Sequence, residues 1–297
     1  MLEMTATQSF QLFEKALVGN NYSQNSIRAY RDDVKQFIEW LKKQRVDWDN
    51  SLRFNKIDIV EFLSFLAAQN TTGVTRVRKL ASLRKFFRCL KDNNIISNSP
   101  TETVIGPMRE ERDPEVLYRN EYKALLFEAS GNPRDYAILQ VFLQTGIRIG
   151  ELVKLTINDI DLENRILVVR QGKGKRDRGI PLEEQAISAI RAYLPKREGL
   201  KGANIIDEET LFLAKNGSSL DVRTVRYFVH KYMEKAGIKK QASVHTLRHT
   251  FGTHKIDKGM TIPALQELLG HKQIETTFKY VHLAKTNLRE QQEQTAL

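Results

Sequence analysis

Residues 145–152, Thr145-Gly146-Ile147-Arg148-Ile149-Gly150-Glu151-Leu152, set a single arginine among apolar neighbours, with a glycine on either side of it. A guanidinium in such a setting is costly to bury unpaired. It therefore either pairs internally, with Glu151 or Asp159, or is held ready for an anionic ligand. The two glycines predict a change of backbone direction and close packing around Arg148.

Three later pieces supply what a metal-free phosphoryl-transfer site needs. They are Gly172-Lys173-Gly174-Lys175, His245-Thr246-Leu247-Arg248-His249, and Leu268-Leu269-Gly270-His271, with Tyr280 nine residues further on. Two arginines can grip the non-bridging oxygens of a phosphodiester as planar forks. A lysine and two histidines can move protons, and a tyrosine hydroxyl can attack phosphorus and hold it covalently. The spacing of three between His245 and Arg248 places both on one helical face, within reach of one phosphate. His245 and His249, four apart, also suit a zinc reading, but that reading lacks a third ligand and has Thr246 where a glutamate belongs. The Gly-Lys-Gly turn is not a P-loop, since no Gly-x-x-x-x-Gly-Lys-Ser/Thr run exists.

In this order the four pieces resemble the tyrosine recombinase (phage integrase) family, and the compact plan resembles its Xer branch. The resemblance spans nearly the whole chain and is strongest from Tyr118 to Leu283. It implies a catalytic set of Arg148, Lys173, His245, Arg248, His271 and Tyr280, with Tyr280 the nucleophile and Lys175 a fallback for Lys173. Gly150 stands where many relatives carry a small polar residue. The implied fold is mainly α with a small β-sheet: a helical SAM-like four-helix core-binding domain, then an α+β catalytic domain. The implied activity is site-specific DNA recombination through a covalent 3′-phosphotyrosine, by a homotetramer on two specific duplex sites, with or without a related recombinase or accessory protein. It calls for no cofactor and no metal. A type IB topoisomerase, relaxing one duplex alone, and a non-catalytic DNA-binding protein are the rival readings.

Composition agrees less specifically. With 297 residues and 41% hydrophobic content, the chain can bury two cores. Lys and Arg number 47 against 36 acidic residues, a net +11 that suits a polyanionic partner. Cys89 is the only cysteine, and no apolar run reaches the length of a membrane span. The expectation is a reducing compartment, the cytoplasm, in association with the nucleoid and with no membrane partner.

Three of the seven prolines (Pro100, Pro107, Pro114) cluster where apolar periodicity lapses. This predicts domains at 1–106 and 118–282, joined by a proline-stiffened linker at 107–117. The polar tail 283–297 is either a segment that docks on a neighbouring protomer or a frayed end. Before the linker, helices are predicted over Ser9–Leu17, Ser23–Trp40, Lys56–Ala68 and Val74–Leu90. In the fourth, Leu80, Leu83, Phe87 and Leu90 share a face. Seven basic residues and no acidic one lie between Gly73 and Lys91. Arg78, Arg84, Lys85, Arg88 and Lys91 are the candidate DNA-backbone contacts, against the alternative of a merely solvated face. After the linker, Glu121–Ala129 and Asp135–Gln144 read as helices. A hairpin follows, with Ile166–Val169 and Gly179–Pro181 as strands and Lys173 at its tip. Further helices are predicted over Glu184–Tyr193, Asp221–Ala236 (ended by Gly237), from Ser243 onward, over Thr261–Leu269 (stopped by Gly270), and over Thr276–Val281.

Overall fold

The computed structural model describes residues 5–44, 54–108, 114–170, 177–200 and 209–284. The chain divides into two compact units, Met1–Arg112 and Asp113–Leu297.

The first unit is four helices: α1 (Ala6–Gly19), α2 (Gln24–Gln44), α3 (Lys56–Ala68) and α4 (Gly73–Asp92). Thr5, Asn55 and Thr72 cap α1, α3 and α4 through their side-chain oxygens. The same three helices stop alike, on an asparagine in the left-handed region: Asn21, Asn70 and Asn94, with φ of 56–58°. In each, the next residue's N–H reaches back to the carbonyl five residues earlier: Tyr22 to Leu17, Thr71 to Leu66 and Ile95 to Leu90. These are Schellman stops with asparagine in the usual glycine place. The core is aromatic, with Phe37 against Phe62 at 5.2 Å and Phe54 against Phe87 at 5.2 Å. Leu80, Leu83, Phe87 and Leu90 are all buried, as their spacing predicts. Asp33 on α2 is also buried; it takes an ion pair from Arg78, a 2.8 Å bond from Lys79 and a 2.6 Å bond from the Ser82 hydroxyl. That cluster fixes the register of α4 on α2.

The second unit opens with α5 (Arg119–Ala129), α6 (Pro133–Thr145) and the single turn α7 (Ile149–Leu152). A three-stranded antiparallel sheet follows: β1 (Ile160–Asp161), β2 (Ile166–Val169) and β3 (Arg178–Pro181) in the order β1-β2-β3. Five helices complete it: α8 (Glu184–Gly199), α9 (Val222–Lys235), α10 (Val244–Asp257), α11 (Ile262–Leu269) and α12 (Glu275–Leu283). The main core lies among α6, α8, α9 and the sheet, and a smaller one gathers Phe251, Ile256, Leu265, Leu269 and Tyr280.

Two local expectations are corrected. The helix expected to end at Tyr193 runs through Pro195 to Gly199. Its last turn is anchored by the buried Arg197, which donates to the carbonyls of Thr210 and Leu211, and that outweighs one lost backbone bond. Gly150 does not turn the chain: it sits within α7, and a Cβ there would meet nothing within 4 Å. Gly146 alone makes the turn, with φ of 60°, and a side chain there would collide with Phe251 and Leu269. No described helix is long and apolar enough to cross a membrane.

Candidate active site

The site is organised around the C-terminal end of α11. Gly270 takes the left-handed conformation (φ 63°), so the His271 N–H returns to the Gln266 carbonyl at 3.1 Å and the Gly270 N–H to Glu267 at 3.0 Å. This Schellman stop satisfies the carbonyls of residues 266 and 267 and leaves the next three without helical partners. Three arginines take them. Arg178 Nε donates to the Leu268 carbonyl at 2.8 Å, Arg248 Nη2 to Leu269 at 2.8 Å and Arg148 Nη2 to Gly270 at 3.3 Å. Cations at a helix C-terminus are also favoured by its dipole.

Arg148 is the N-cap of α7 and pairs with Glu151 at 3.1 Å. The internal pairing considered from sequence therefore exists, yet the Arg148 side chain remains 41% exposed. Arg248 is buried and also donates to the Gly146 carbonyl at 2.5 Å, which ties α10 to the turn before Arg148. Burial, then the nearby charge of Arg148, pushes the Arg248 pKa down to about 10, still charged at neutral pH. Burial works to raise the Glu151 carboxyl, but bonds from Arg178 and the Arg148 backbone, with both positive charges, hold it below the usual range. Three guanidiniums face one carboxylate, leaving two positive charges uncompensated. In front of Arg148 and His271 opens a cleft of about 890 Å³, also lined by Lys154, Arg170 and Lys272.

Tyr280 on α12 is fully buried. Its ring lies parallel to that of His271 at 6.2 Å and against Gly252, where a Cβ would come within 2.8 Å of it. Its hydroxyl is 3.2 Å from Nδ1 of His249. Burial raises the Tyr280 pKa, opposed by Arg248 and Arg148, so the hydroxyl keeps its proton. His249 is pushed down to about 4, first by burial and then by Lys279 and other cations, so its ring is neutral, and the tautomer decides whether Nδ1 or the hydroxyl donates between them. His271 falls to about 3 through burial and the arginines, and its Nδ1 lies 2.8 Å from the buried Thr277 hydroxyl. His245 is exposed, and burial of part of the ring with Arg248, Arg226 and Lys279 nearby lowers its pKa. Lys279, half-buried, lies 5.2 Å over the Tyr280 ring, and burial followed by Arg248 lowers its pKa.

Of the residues singled out from sequence, Arg148, Arg248, His271 and Tyr280 come together here, with His245 on the same helix as Arg248. Lys173 and Lys175 lie in the connection between β2 and β3, outside the described residues. Among the described residues no group of three His, Cys, Asp or Glu could hold a metal, so His245 and His249 find no third ligand there. Sequence reasoning missed Arg178, Glu151 as its partner, and Thr277. A signal for Arg178 existed. It shares strand parity with the inward-facing Ile180, and a charge at an inward position must have a partner.

On the first unit, most of the basic residues singled out on α4 have intrachain partners. Arg78 pairs with Asp33, Arg84 donates to the Val104 carbonyl at 2.8 Å, Lys85 lies 5.0 Å over the Tyr22 ring, and Lys91 is 3.7 Å from Glu102. Arg88 is exposed.

A helical unit followed by an α+β unit with this arginine frame and tyrosine is the arrangement of a tyrosine site-specific recombinase. The profile of the phage integrase family matches residues 115–287, and that of the phage integrase N-terminal SAM-like domain matches residues 10–94. The chain belongs to the phage integrase family. It is 37% identical to tyrosine recombinase XerC of Caldanaerobacter subterraneus subsp. tengcongensis, over 90% of this chain and 80% of that one. It is 32% identical to tyrosine recombinase XerC of Leptospira interrogans serovar copenhageni, over 92% and 88%. Among solved structures, the XerA recombinase is 30% identical with a TM-score of 0.56, covering 98% of this chain and 99% of that one. XerH bound to its palindromic difH substrate, 24% identical, shares the fold at a TM-score of 0.76, over 96% and 83%.

Proposed function

We propose that this recombinase cuts and rejoins duplex DNA at specific sites through a covalent 3′-phosphotyrosine on Tyr280. The observation that carries this reading is the frame of Arg148, Arg178 and Arg248 around one carboxylate. Its two uncompensated positive charges match a phosphodiester anion whose charge grows to two in the five-coordinate transition state, and such preorganised donors act most strongly there.

In the proposed step the Tyr280 oxygen forms a bond to phosphorus as the bond to the 5′-oxygen breaks. Arg148 and Arg248 hold the non-bridging oxygens. His245, neutral through its lowered pKa, takes the tyrosine proton, and Lys173 gives a proton to the departing 5′-oxygen. A neutral His271 whose Nδ1 accepts from Thr277 carries its proton on the other nitrogen and donates it toward the phosphate. The ester keeps the bond energy, so rejoining by a second 5′-hydroxyl requires neither ATP nor metal. Lys154, Arg170 and Lys272 suit neighbouring phosphates, and Arg88 with its neighbours on α4 suits the backbone elsewhere.

A homotetramer on two sites, alone or with a related recombinase, and a place on the cytoplasmic nucleoid complete the reading. Relatives named as tyrosine recombinases favour it over a topoisomerase or a non-catalytic binder. The test is Tyr280→Phe on a nicked duplex selected by covalent capture from a randomised library. Binding should be unchanged and no denaturation-resistant adduct should form; an adduct in that variant sinks the assignment.

A further inference from the structure

We infer that Arg178, outside the set that touches the phosphate, is a positioning residue that locks the phosphate-gripping arginines and His271 into one frame. The inference rests on the reading of the site given above. Arg178 is the first residue of β3 and is only 7% exposed, so it is not presented to a ligand. Its two terminal nitrogens fork onto both oxygens of Glu151, at 3.2 and 2.9 Å, while Nε holds the Leu268 carbonyl at 2.8 Å. The same two carboxylate oxygens accept from Arg148, Oε2 from its backbone N–H at 2.7 Å and Oε1 from its guanidinium at 3.1 Å. One side chain thus joins three things: the strand that follows the Lys173 connection, the turn that bears Arg148, and the helix end that holds Arg248 and orients His271.

The chemistry explains why arginine is needed there. A buried carboxylate pulls on any nearby cation, and Arg148 is the only other guanidinium that Glu151 binds among the described residues. With Arg178 supplying a bidentate partner, Glu151 is largely satisfied and Arg148 keeps donors for a ligand. Without it, Arg148 would be drawn onto Glu151, and the Leu268 carbonyl would lose its donor. A lysine retains the charge but has no planar fork, so it cannot serve both oxygens and the carbonyl in their fixed directions.

The experiment uses the full chain and the nicked duplex captured by the wild-type protein. Adduct formation is followed in a single turnover, non-covalent affinity by gel shift, and folding by thermal melting, for Arg178→Lys and Arg178→Gln. Arg178→Lys keeps the charge that offsets Glu151 and so preserves the fold. We expect the adduct rate of both variants to fall by about tenfold or more, with affinity within about twofold of wild type. On a Glu151→Gln background, Arg178→Gln should cost clearly less than it does alone, because its route to Arg148 is already cut and only its bond to the Leu268 carbonyl remains to be lost. A purely structural residue would instead lose the same factor on both backgrounds, which overturns the inference, as does an undiminished rate in both variants. A wild-type protein that forms no adduct overturns the underlying site reading, whereas active wild type with indifferent Arg178 variants overturns this inference alone.

Discussion

The Tyr280 hydroxyl meets His249, not His245, the residue proposed to take its proton. The two histidines lie one turn apart on α10, on the same side of the helix. His249 is thus a hydrogen-bond partner of a fully buried hydroxyl.

The half-buried histidines His249 and His271 give the first prediction, a stability that is lost as pH falls. His249 and His271 have folded pKa values of about 4 and about 3, against an ordinary 6.5. From pH 6.5 down toward 4 the unfolded chain binds protons that the folded one refuses, so stability is full above 6.5 and is lost as pH falls. Glu151 and Asp159, held below the usual carboxylate range, add their loss only below about pH 4.5. The thermal midpoint should drop by a few degrees, on the order of 2–4 °C or more, between pH 7 and pH 5. His249→Asn, whose amide can donate to or accept from Tyr280 but does not titrate, should flatten that slope. A midpoint independent of pH over this range would contradict the assignment of both rings as neutral.

Much of this was legible because it was local. The apolar spacing of α4, the stops at Gly237 and Gly270, and the strand pair β2 and β3 are all written within a few residues of where they act. What stayed hidden depends on partners far apart in the chain. Asp33 claims Arg78 from α2, Glu151 claims Arg178 across 27 residues, and Arg148 finds the Gly270 carbonyl across 122. The motifs name the groups proposed to touch the phosphate; the carbonyls and carboxylate that hold them appear only once α11 ends beside β3. Pro195 shows the same limit from the other side, since the anchoring of Arg197 overrides a local stop signal.

The α4 partners divide the basic residues into two experimental classes. Arg88→Ala should lower the slope of log affinity against log salt by roughly 0.9, the loss of one phosphate contact, and leave stability unchanged. Arg78→Ala should instead cost at least about 1 kcal/mol in urea unfolding, because it removes one partner of the buried Asp33. Arg84→Ala should show both effects, since its guanidinium holds the Val104 carbonyl. Measured salt slopes that stay the same for Arg88→Ala and Arg84→Ala would return this face to ordinary solvation.

The last prediction concerns Lys173 and the proton on the leaving oxygen. A 5′-alkoxide is a poor leaving group, and a general acid that protonates it contributes typically 10²–10⁴-fold. Lys173→Ala should therefore slow adduct formation on an ordinary nicked duplex by about a hundredfold or more, with binding nearly intact. On a duplex whose scissile 5′-oxygen is replaced by sulfur, the departing thiolate needs no proton, so the variant should approach the wild-type rate. Arg148→Lys, which weakens the grip on the non-bridging oxygens, should gain nothing from the sulfur, and that contrast isolates proton transfer from charge stabilisation. Lys175→Ala serves as the neighbouring control. If sulfur rescues Lys175→Ala and fails to rescue Lys173→Ala, the acid is Lys175.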